Sequence, residues 1–316
     1  MEITTKKICD LTIKNYRKVR EELRYDGDYI NHLAALIYAG AKREVPCGQV
    51  KLIRSSIKEK TSRMSSFRGD ILYVVSFLIA LEDDVKGFIS KILSSYNDLL
   101  EIGFKESKYL VLTCYTLVKH SKEKELFSNM VMMKDIYEII KSKYRNVTND
   151  EDYLECALLS INGIKKERII EHMDNLFRDY SEIENLSKNS IQSLTMAVLL
   201  NKNKKASYEV EKLLIEFEEE DVKIGHQFLS LLGMVVGYDK PKEYIKKVDE
   251  VINYLCKEEG EYEFYMDKSF RVFIGIVLVE ASRNIKEERY INELLSEGVY
   301  SSIISKNQGV FEERLA

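Results

Sequence analysis

The sequence predicts an all-α fold built from about seven helix pairs, and three observations point to it. The 316 residues include only 2 prolines and 14 glycines, and so few helix breakers favour long helices over short strands and turns. Segments with the apolar spacing of an amphipathic helix alternate with segments that are apolar on every side. This alternation returns about every 40 residues, which is typical of stacked helical hairpins.

Residues 85–101 show the amphipathic pattern most clearly. Apolar side chains recur there at intervals of three and four residues from Val85 to Leu100, and most other positions hold Lys, Ser, Asn or Asp. That spacing places the apolar side chains on one face of a helix. Gly103 follows as a left-handed cap, and Ser107 can cap the next helix.

The second kind of segment is apolar nearly all round, as in residues 109–118. Periodicity alone does not separate a buried strand from a buried helix, but the amphipathic neighbours and the absence of hairpin turns favour a helix. Such segments begin at Ile30, Ile71, Tyr109, Tyr153, Ile191, Gln227 and Phe270, with successive steps of 41, 38, 44, 38, 36 and 43 residues.

The amphipathic segments lie between the apolar ones, and short polar links join the two kinds. Their approximate ranges are 6–24, 48–63, 83–102, 122–142, 165–180, 206–220, 241–257 and 286–297. The links often hold a residue suited to cap the apolar helix that follows: Asp28, Asp70, Ser107, Asp150 or Asp152, Ser190 and Asp267.

One hairpin cannot bury the whole surface of its apolar helix, so we expect the hairpins to stack, with the apolar helices covered by amphipathic partners. We therefore predict that residues 1–316 form a single all-helical repeat domain. The expected arrangement is an open α-solenoid or superhelix, and a closed α/α toroid is the alternative.

Charge and hydropathy argue against two classes of partner. The 48 basic and 52 acidic residues are mixed along the chain without a basic stripe, so no nucleic-acid partner is expected. The longest low-polarity run, residues 71–81, is shorter than the roughly 18 residues that a membrane span requires, and no membrane partner is expected.

The five cysteines are odd in number and widely spaced, which is not a disulfide framework. Cys114 and Cys156 lie in apolar runs and are predicted to be buried. The N-terminus has no signal-peptide apolar core. Together these features predict a cytoplasmic protein with reduced thiols.

No familiar catalytic motif is present. The sequence contains no Gly-rich phosphate loop, no G-x-S-x-G elbow and no His pair with metal-ligand spacing, so neither a cofactor nor a metal is expected. Toroidal glycosidases rely on aromatic platforms, and this chain has no tryptophan. The sequence does not decide whether the protein is an enzyme, but the lack of these catalytic motifs argues against it.

Residues 262–271 hold the densest mixture of aromatic and charged side chains. Tyr265, Asp267, Lys268 and Arg271 are the candidates to line a binding surface. The alternative, which we favour, is that this segment is an ordinary helix start without a binding role. Asp267 then caps the helix, and Lys268 and Arg271 are solvated.

Several short segments resemble one family. They are residues 96–104 followed by Tyr109-Leu110, then 149–159, then 266–270. On these segments the chain resembles domain-of-unknown-function family 4003, found mainly in low-GC Gram-positive bacteria, over roughly residues 10–285. The resemblance implies no activity and brings no catalytic residues.

The leading hypothesis from the sequence is a scaffold without catalytic activity that binds an unknown protein or peptide on a long concave surface. The alternative is an enzyme or small-molecule-binding protein with an acidic and aromatic cavity inside a toroid. The alternative predicts that side chains converge from the starts of the apolar helices, with Asp28, Asp70, Asp152 and Asp267 as candidates.

Overall fold

Every regular element in the described part of the chain is a helix, in agreement with the predicted all-α class. The computed structural model describes residues 1–181, 183, 186–220, 222, 224–235, 240–264, 266–283 and 290–307. Its α-helices are α1 (Ile3–Glu22), α2 (Asp28–Gly40), α3 (Cys47–Lys60), α4 (Asp70–Ile79), α5 (Val85–Glu101), α6 (Lys108–His120), α7 (Leu126–Lys143), α8 (Tyr153–Ile161), α9 (Lys166–Ser181), α10 (Lys188–Leu200), α11 (Ala206–Glu219), α12 (Leu229–Met234), α13 (Pro241–Glu258), α14 (Glu261–Phe264), α15 (Lys268–Ser282) and α16 (Ile291–Asn307). Single 3-10 turns at Glu123–Glu125, Asp150–Asp152 and His226–Phe228 precede α7, α8 and α12.

The two kinds of helix differ in burial as their sequences differ in hydropathy. The apolar helices α2, α4, α6, α8, α10, α12 and α15 bury most of their side chains. The amphipathic helices α1, α3, α5, α7, α9, α11 and α13 bury one stripe each; in α5 it includes Ile89, Ile92, Tyr96 and Leu99. Among the described helices, none combines the length and the apolar character needed to cross a membrane.

The apolar helices contact each other in chain order, from α2 through α4, α6, α8 and α10 to α12. The two ends of this series also meet, because α15 contacts α1 and α2, and α1 contacts α13. The ring of Phe228, just before α12, stacks on Phe273 of α15 with the ring centroids 3.7 Å apart. Helices α1 and α2 therefore lie next to α13 and α15. Whether the array is an open superhelix or a closed toroid stays a prediction.

Helix α16 is the element that departs most from the sequence-based expectation. Residues 286–297 were expected to form an outer amphipathic helix, but 286–289 lie outside the described residues and α16 begins at Ile291. All eight residues from Glu293 to Tyr300 are buried, and α16 contacts α2, α4, α6, α12 and the turn before α12. Its glutamates and serines, which in sequence indicate a solvated face, therefore lie among the apolar helices.

The cysteines follow the prediction for reduced thiols. All five are free, and Cys114 and Cys156 are fully buried as predicted. Burial raises the pKa of both thiols above the ordinary value, which keeps them protonated and unreactive.

Because Gly298 has no side chain, the backbone of α16 can pack directly against the turn before α12. A Cβ atom added there would lie 2.5 Å from Cδ1 of Phe228 and 2.7 Å from the carbonyl oxygen of Gln227. Real Cβ atoms do not tolerate such distances, so either the helix or the turn would have to move.

We predict that Gly298→Ala lowers the free energy of unfolding by about 1–3 kcal/mol, because the added methyl group overpacks this contact. Gly48→Ala is the matched control, since nothing lies within 4 Å of a Cβ at Gly48 in α3. In a helix the control change is expected to be neutral or stabilising by up to about 1 kcal/mol. Urea titrations of both variants measure the difference, and equal stabilities would contradict the close packing of α16.

Candidate functional site

The structure describes three of the four sequence-predicted binding residues, Asp267, Lys268 and Arg271. Tyr265 lies outside the described residues. Lys268 is exposed, and the half-buried Arg271 reaches Sγ of Cys256 at 4.0 Å. Neither side chain lines the two cavities described below, so their role in binding stays a prediction.

Asp267 makes local contacts. Its Oδ1 accepts a hydrogen bond of 2.7 Å from the backbone N–H of Phe270 and so caps α15. Its Oδ2 accepts from the hydroxyl of Tyr29 and lies 3.5 Å from Nζ of Lys306 at the end of α16. These contacts join α2, α15 and α16 at the ends of the helices.

A small pocket beside His32 has room for no more than one water. Its volume is about 10 Å³, and Asp28 and Tyr29 are among its lining residues. The His32 ring stacks on Tyr16 with centroids 4.0 Å apart, and burial lowers its pKa to about 3. The His32 imidazole is therefore neutral and packed among aromatic side chains, and its Nδ1 has no hydrogen-bond partner among the described residues.

The larger cavity, which we call the polar cavity, has a volume of about 180 Å³. It lies where the starts of α8, α10 and α12 meet the second half of α16. Every residue that lines it has a polar side chain: Glu151, Glu155, Ser187, Asn189, Ser190, Ser193, Gln227, Ser230, Glu297, Ser301 and Ser305. Among the described residues, no lysine, arginine or histidine lines it. Glu151 and Asn189 are exposed whereas Glu155, Ser230 and Glu297 are buried, so the cavity leads from the surface inward.

Capping interactions define the helix starts around the polar cavity. Asn149 and Asp152 form a reciprocal capping box before α8, and the hydroxyl of Ser187 accepts from the backbone N–H of Ser190 at 3.1 Å to cap α10. Tyr109 of α6 donates to Oε1 of Glu151 at 2.9 Å and lies 3.1 Å from the hydroxyl of Ser301. These bonds tie α6, α8 and α16 together beside the cavity.

Two carboxyl groups in the polar cavity are buried and incompletely bonded. Glu155 is 1% exposed and Glu297 is 6% exposed. Oε2 of Glu155 and Oε1 of Glu297 have no hydrogen-bond partner among the described residues. Burial raises the pKa of each carboxyl well above its ordinary value. The negative charge of Asp152 raises the pKa of Glu155 further, and the charges of Glu155 and Asp152 raise that of Glu297.

Asp152 lies beside this pair but is fully bonded. Its Oδ1 accepts 2.7 Å from Nε2 of Gln192, and its Oδ2 accepts 2.8 Å from the backbone N–H of Asn149. Burial raises its pKa to about 7 despite these bonds. Of the four acids expected to converge from helix starts, Asp152 alone adjoins the polar cavity, and its carboxylate supports α8 and α10 rather than lining the space.

A different arrangement holds the beginning of α16. Oε1 of the buried Glu293 lies 2.9 Å from Nε2 of His120 and 3.2 Å from Nζ of Lys119. Burial alone would raise the pKa of Glu293, but the hydrogen bond with His120 and the charge of Lys119 hold it at about 2. Both partners lie in the last turn of α6, where the helix dipole favours positive charge.

Sequence reasoning missed Glu155 and Glu297, although each left a signal. Glu155 is the only charged residue in α8, and Glu297 interrupts the run Leu294-Leu-Ser-Glu-Gly-Val-Tyr300. A charged side chain in an otherwise apolar helix is costly to bury and marks a candidate functional position. Across the described residues, no three His, Cys, Asp or Glu side chains are placed to hold a metal ion.

We predict that Glu293→Gln lowers the free energy of unfolding at pH 7 by about 3 kcal/mol, since it leaves Lys119 and His120 without the buried carboxylate that they contact. The pKa of Glu293 is about 2 in the folded protein and 4.5 ordinarily. Its stabilising effect is therefore complete above about pH 4.5 and is lost as the pH falls toward 2. Urea titrations at several pH values measure this.

The matched control is Glu125→Gln, which removes an exposed partner of Lys122 and should cost less than about 0.5 kcal/mol. An equal loss for Glu293→Gln at pH 7 and at pH 3 would contradict the assigned ionic pair.

For Glu297→Gln we predict the opposite sign. The folded protein holds protons on Glu155 and Glu297 at pH values where the unfolded chain has released them, so stability falls as the pH rises above about 4.5. A neutral amide removes that penalty, and the variant should be more stable than the parent by about 1 kcal/mol or more at pH 8. Thermal or urea unfolding at pH 8 and pH 5 should show the gain shrink at the lower pH.

The control for this comparison is Glu138→Gln on α7, whose carboxylate is 56% exposed. It should change the free energy of unfolding by less than about 0.5 kcal/mol at both pH values. A loss of stability in Glu297→Gln at pH 8 would show that the carboxylate is satisfied rather than unpaired.

Comparison with known proteins identifies a family but no activity. Neither the curated proteins nor the solved structures include a chain with significant similarity to this one. The family described as "Protein of unknown function (DUF4003)" matches residues 15–308, in agreement with the resemblance seen in the sequence. The chain belongs to the DUF4003 family.

Proposed function

We propose that this protein binds a small polar molecule in the polar cavity between α8, α10, α12 and α16. The observation that carries the proposal is a space of about 180 Å³ whose lining residues all have polar side chains and include two buried glutamates with unpartnered carboxyl oxygens. A buried polar atom without a partner costs roughly 1–3 kcal/mol, so a protein that keeps two such atoms beside a cavity is suited to bind something there.

The size of the cavity limits the ligand. An apolar cavity of about 150 Å³ holds a benzene ring, so about 180 Å³ accommodates a molecule of roughly six to ten non-hydrogen atoms. Neither a peptide nor an oligosaccharide fits within that volume. The exposed Glu151 and Asn189 lie where such a molecule would enter.

The helix contacts support the toroid rather than the open array. The first and last pairs are in contact, and α16 occupies the space against α2, α4, α6 and α12. We infer that residues 1–307 form one domain, a closed α/α toroid with α16 at its centre. In such a toroid the concave surface that a scaffold would offer to a peptide is covered by α16, which weakens the scaffold hypothesis. The cytoplasmic location stays a prediction.

The test is release of a bound small molecule. The protein is purified under native conditions and denatured, and the released compounds are identified by mass spectrometry. The same is done with Ser193→Leu, which fills the cavity from α10, and with the control Ser142→Leu on the exposed face of α7. A thermal-shift screen against polar metabolites covers ligands lost during purification.

We expect one compound of roughly six to ten non-hydrogen atoms to be released by, or to stabilise, the parent and Ser142→Leu but not Ser193→Leu. If all three proteins release the same compounds and no metabolite raises the melting temperature of the parent selectively, the cavity is not a binding site.

A further inference from the structure

We infer that the ligand of the polar cavity is a small organic cation, namely an amine that is protonated to an ammonium group. This inference rests on the proposed function, because it names the class of molecule that the same cavity accepts. Three features of the lining support it: its charge, its open hydrogen-bond acceptors and its lack of a metal-ligand arrangement.

The charges around the cavity have one sign. The carboxyl groups of Glu151, Glu155 and Glu297 line it, and no cationic side chain among the described residues does. The charged groups that act on the two buried carboxyls are Asp152, Glu151 and the carboxyls themselves. An anionic ligand would be repelled. A cation would be attracted by the exposed Glu151 at the cavity entrance, and Glu155 and Glu297 would compensate its charge inside the cavity.

The open positions are acceptors. Oε2 of Glu155, Oε1 of Glu297 and Oε1 of Gln227 have no donor among the described residues. An ammonium group carries N–H donors and no acceptor, so it matches such a set, and its hydrogen bonds to carboxylates are charge-assisted. A neutral alcohol would supply at most one donor for each hydroxyl group and would gain no charge-assisted hydrogen bond from the carboxyl groups.

A metal ion is a poorer match. Carboxylate oxygens suit hard cations, but such ions need three or more protein ligands or a full set of waters in regular geometry. In the part of the chain that the structure describes, no group of three His, Cys, Asp or Glu residues is placed for this purpose. An organic cation needs only two carboxylates and the serine hydroxyls that surround them.

Binding is then coupled to proton release. Without a ligand, Glu155 and Glu297 hold protons because burial and the neighbouring acidic groups disfavour the ionised forms. The ammonium group favours the ionised forms, so protons pass to solvent when it binds. The affinity therefore rises as the pH increases from 6 to 8, as long as the amine itself stays protonated.

The test compares three four-carbon chains that differ only in their end groups: 1,4-diaminobutane, 1,4-butanediol and succinate. Isothermal titration calorimetry on the full chain measures each at pH 6, 7 and 8. A panel of other small amines, from ethanolamine to 1,5-diaminopentane, covers differences in length. Titration in phosphate and in Tris, which differ in ionisation enthalpy, counts the protons released.

We expect at least one amine of the panel to bind, with 1,4-butanediol about tenfold weaker or worse and succinate not bound. Glu155→Gln and Glu297→Gln should each weaken the amine by about 30-fold or more, whereas Glu138→Gln should leave its affinity unchanged. Circular dichroism and unfolding curves establish that both cavity variants are folded, so a lost affinity reports on the site.

Two outcomes would overturn the inference that the ligand is a cation, and they differ in whether the proposed function of the cavity survives. If the diol, or a neutral compound released from the purified protein, binds as tightly as any amine and Ser193→Leu abolishes it, the cavity binds a neutral molecule and the proposed function survives. If no amine binds below about 1 mM, or if amine binding is indifferent to both Gln variants, the cation site is refuted. Failure of every ligand in the metabolite screen as well would refute the proposed function itself.

Discussion

Packing of α16 against the apolar helices is the constraint on which the rest of the structure depends. The described residues from Glu293 to Tyr300 are all buried, and the helix contacts α2, α4, α6 and α12. Leu294, Leu295, Val299 and Tyr300 bury apolar area worth roughly 1.5–3 kcal/mol for each side chain. The same helix carries Glu293 and Glu297 into the interior, where a charge is costly unless something compensates it. Glu293 and Glu297 differ in whether neighbouring groups compensate the negative charge, and this difference separates a structural role from a binding role.

At its beginning, α16 is held by a compensated charge. Glu293 contacts Lys119 and His120 at the end of α6, and the hydrogen bond with His120 and the charge of Lys119 keep its pKa at about 2 despite burial. One turn further on, Glu297 has no such partner and lines the polar cavity together with Glu155. The partners of Glu293 therefore stabilise its ionised form despite burial, whereas burial disfavours the ionised form of Glu297. A buried carboxyl group without a compensating partner, such as that of Glu297, lowers the stability of the folded protein. For this reason we look for its role in binding.

Much of this architecture was predictable because hydropathy reports burial. The apolar segments beginning at Ile30, Ile71 and Tyr109 are the buried helices α2, α4 and α6, and residues 85–101 form α5 with the expected stripe. The expected cap at Asp267 is also present. The site was not predictable in the same way. Glu155 lines the polar cavity, whereas Asp28, Asp70 and Asp267 do not. The sequence pattern shows where each apolar helix starts, but it does not specify which of these helix starts lie next to a cavity.

The sequence by itself determined the helical class, the two kinds of helix and the membership of the family, because periodicity and breaker content are local properties of the chain. Only the tertiary structure decided that α1 and α2 meet α13 and α15, and that a segment rich in Glu and Ser lies inside rather than outside. Those outcomes depend on contacts between residues more than 200 positions apart, such as the pair of Phe270 with Tyr29. No local pattern encodes such contacts, and the polar cavity exists only because they bring α8, α10, α12 and α16 together.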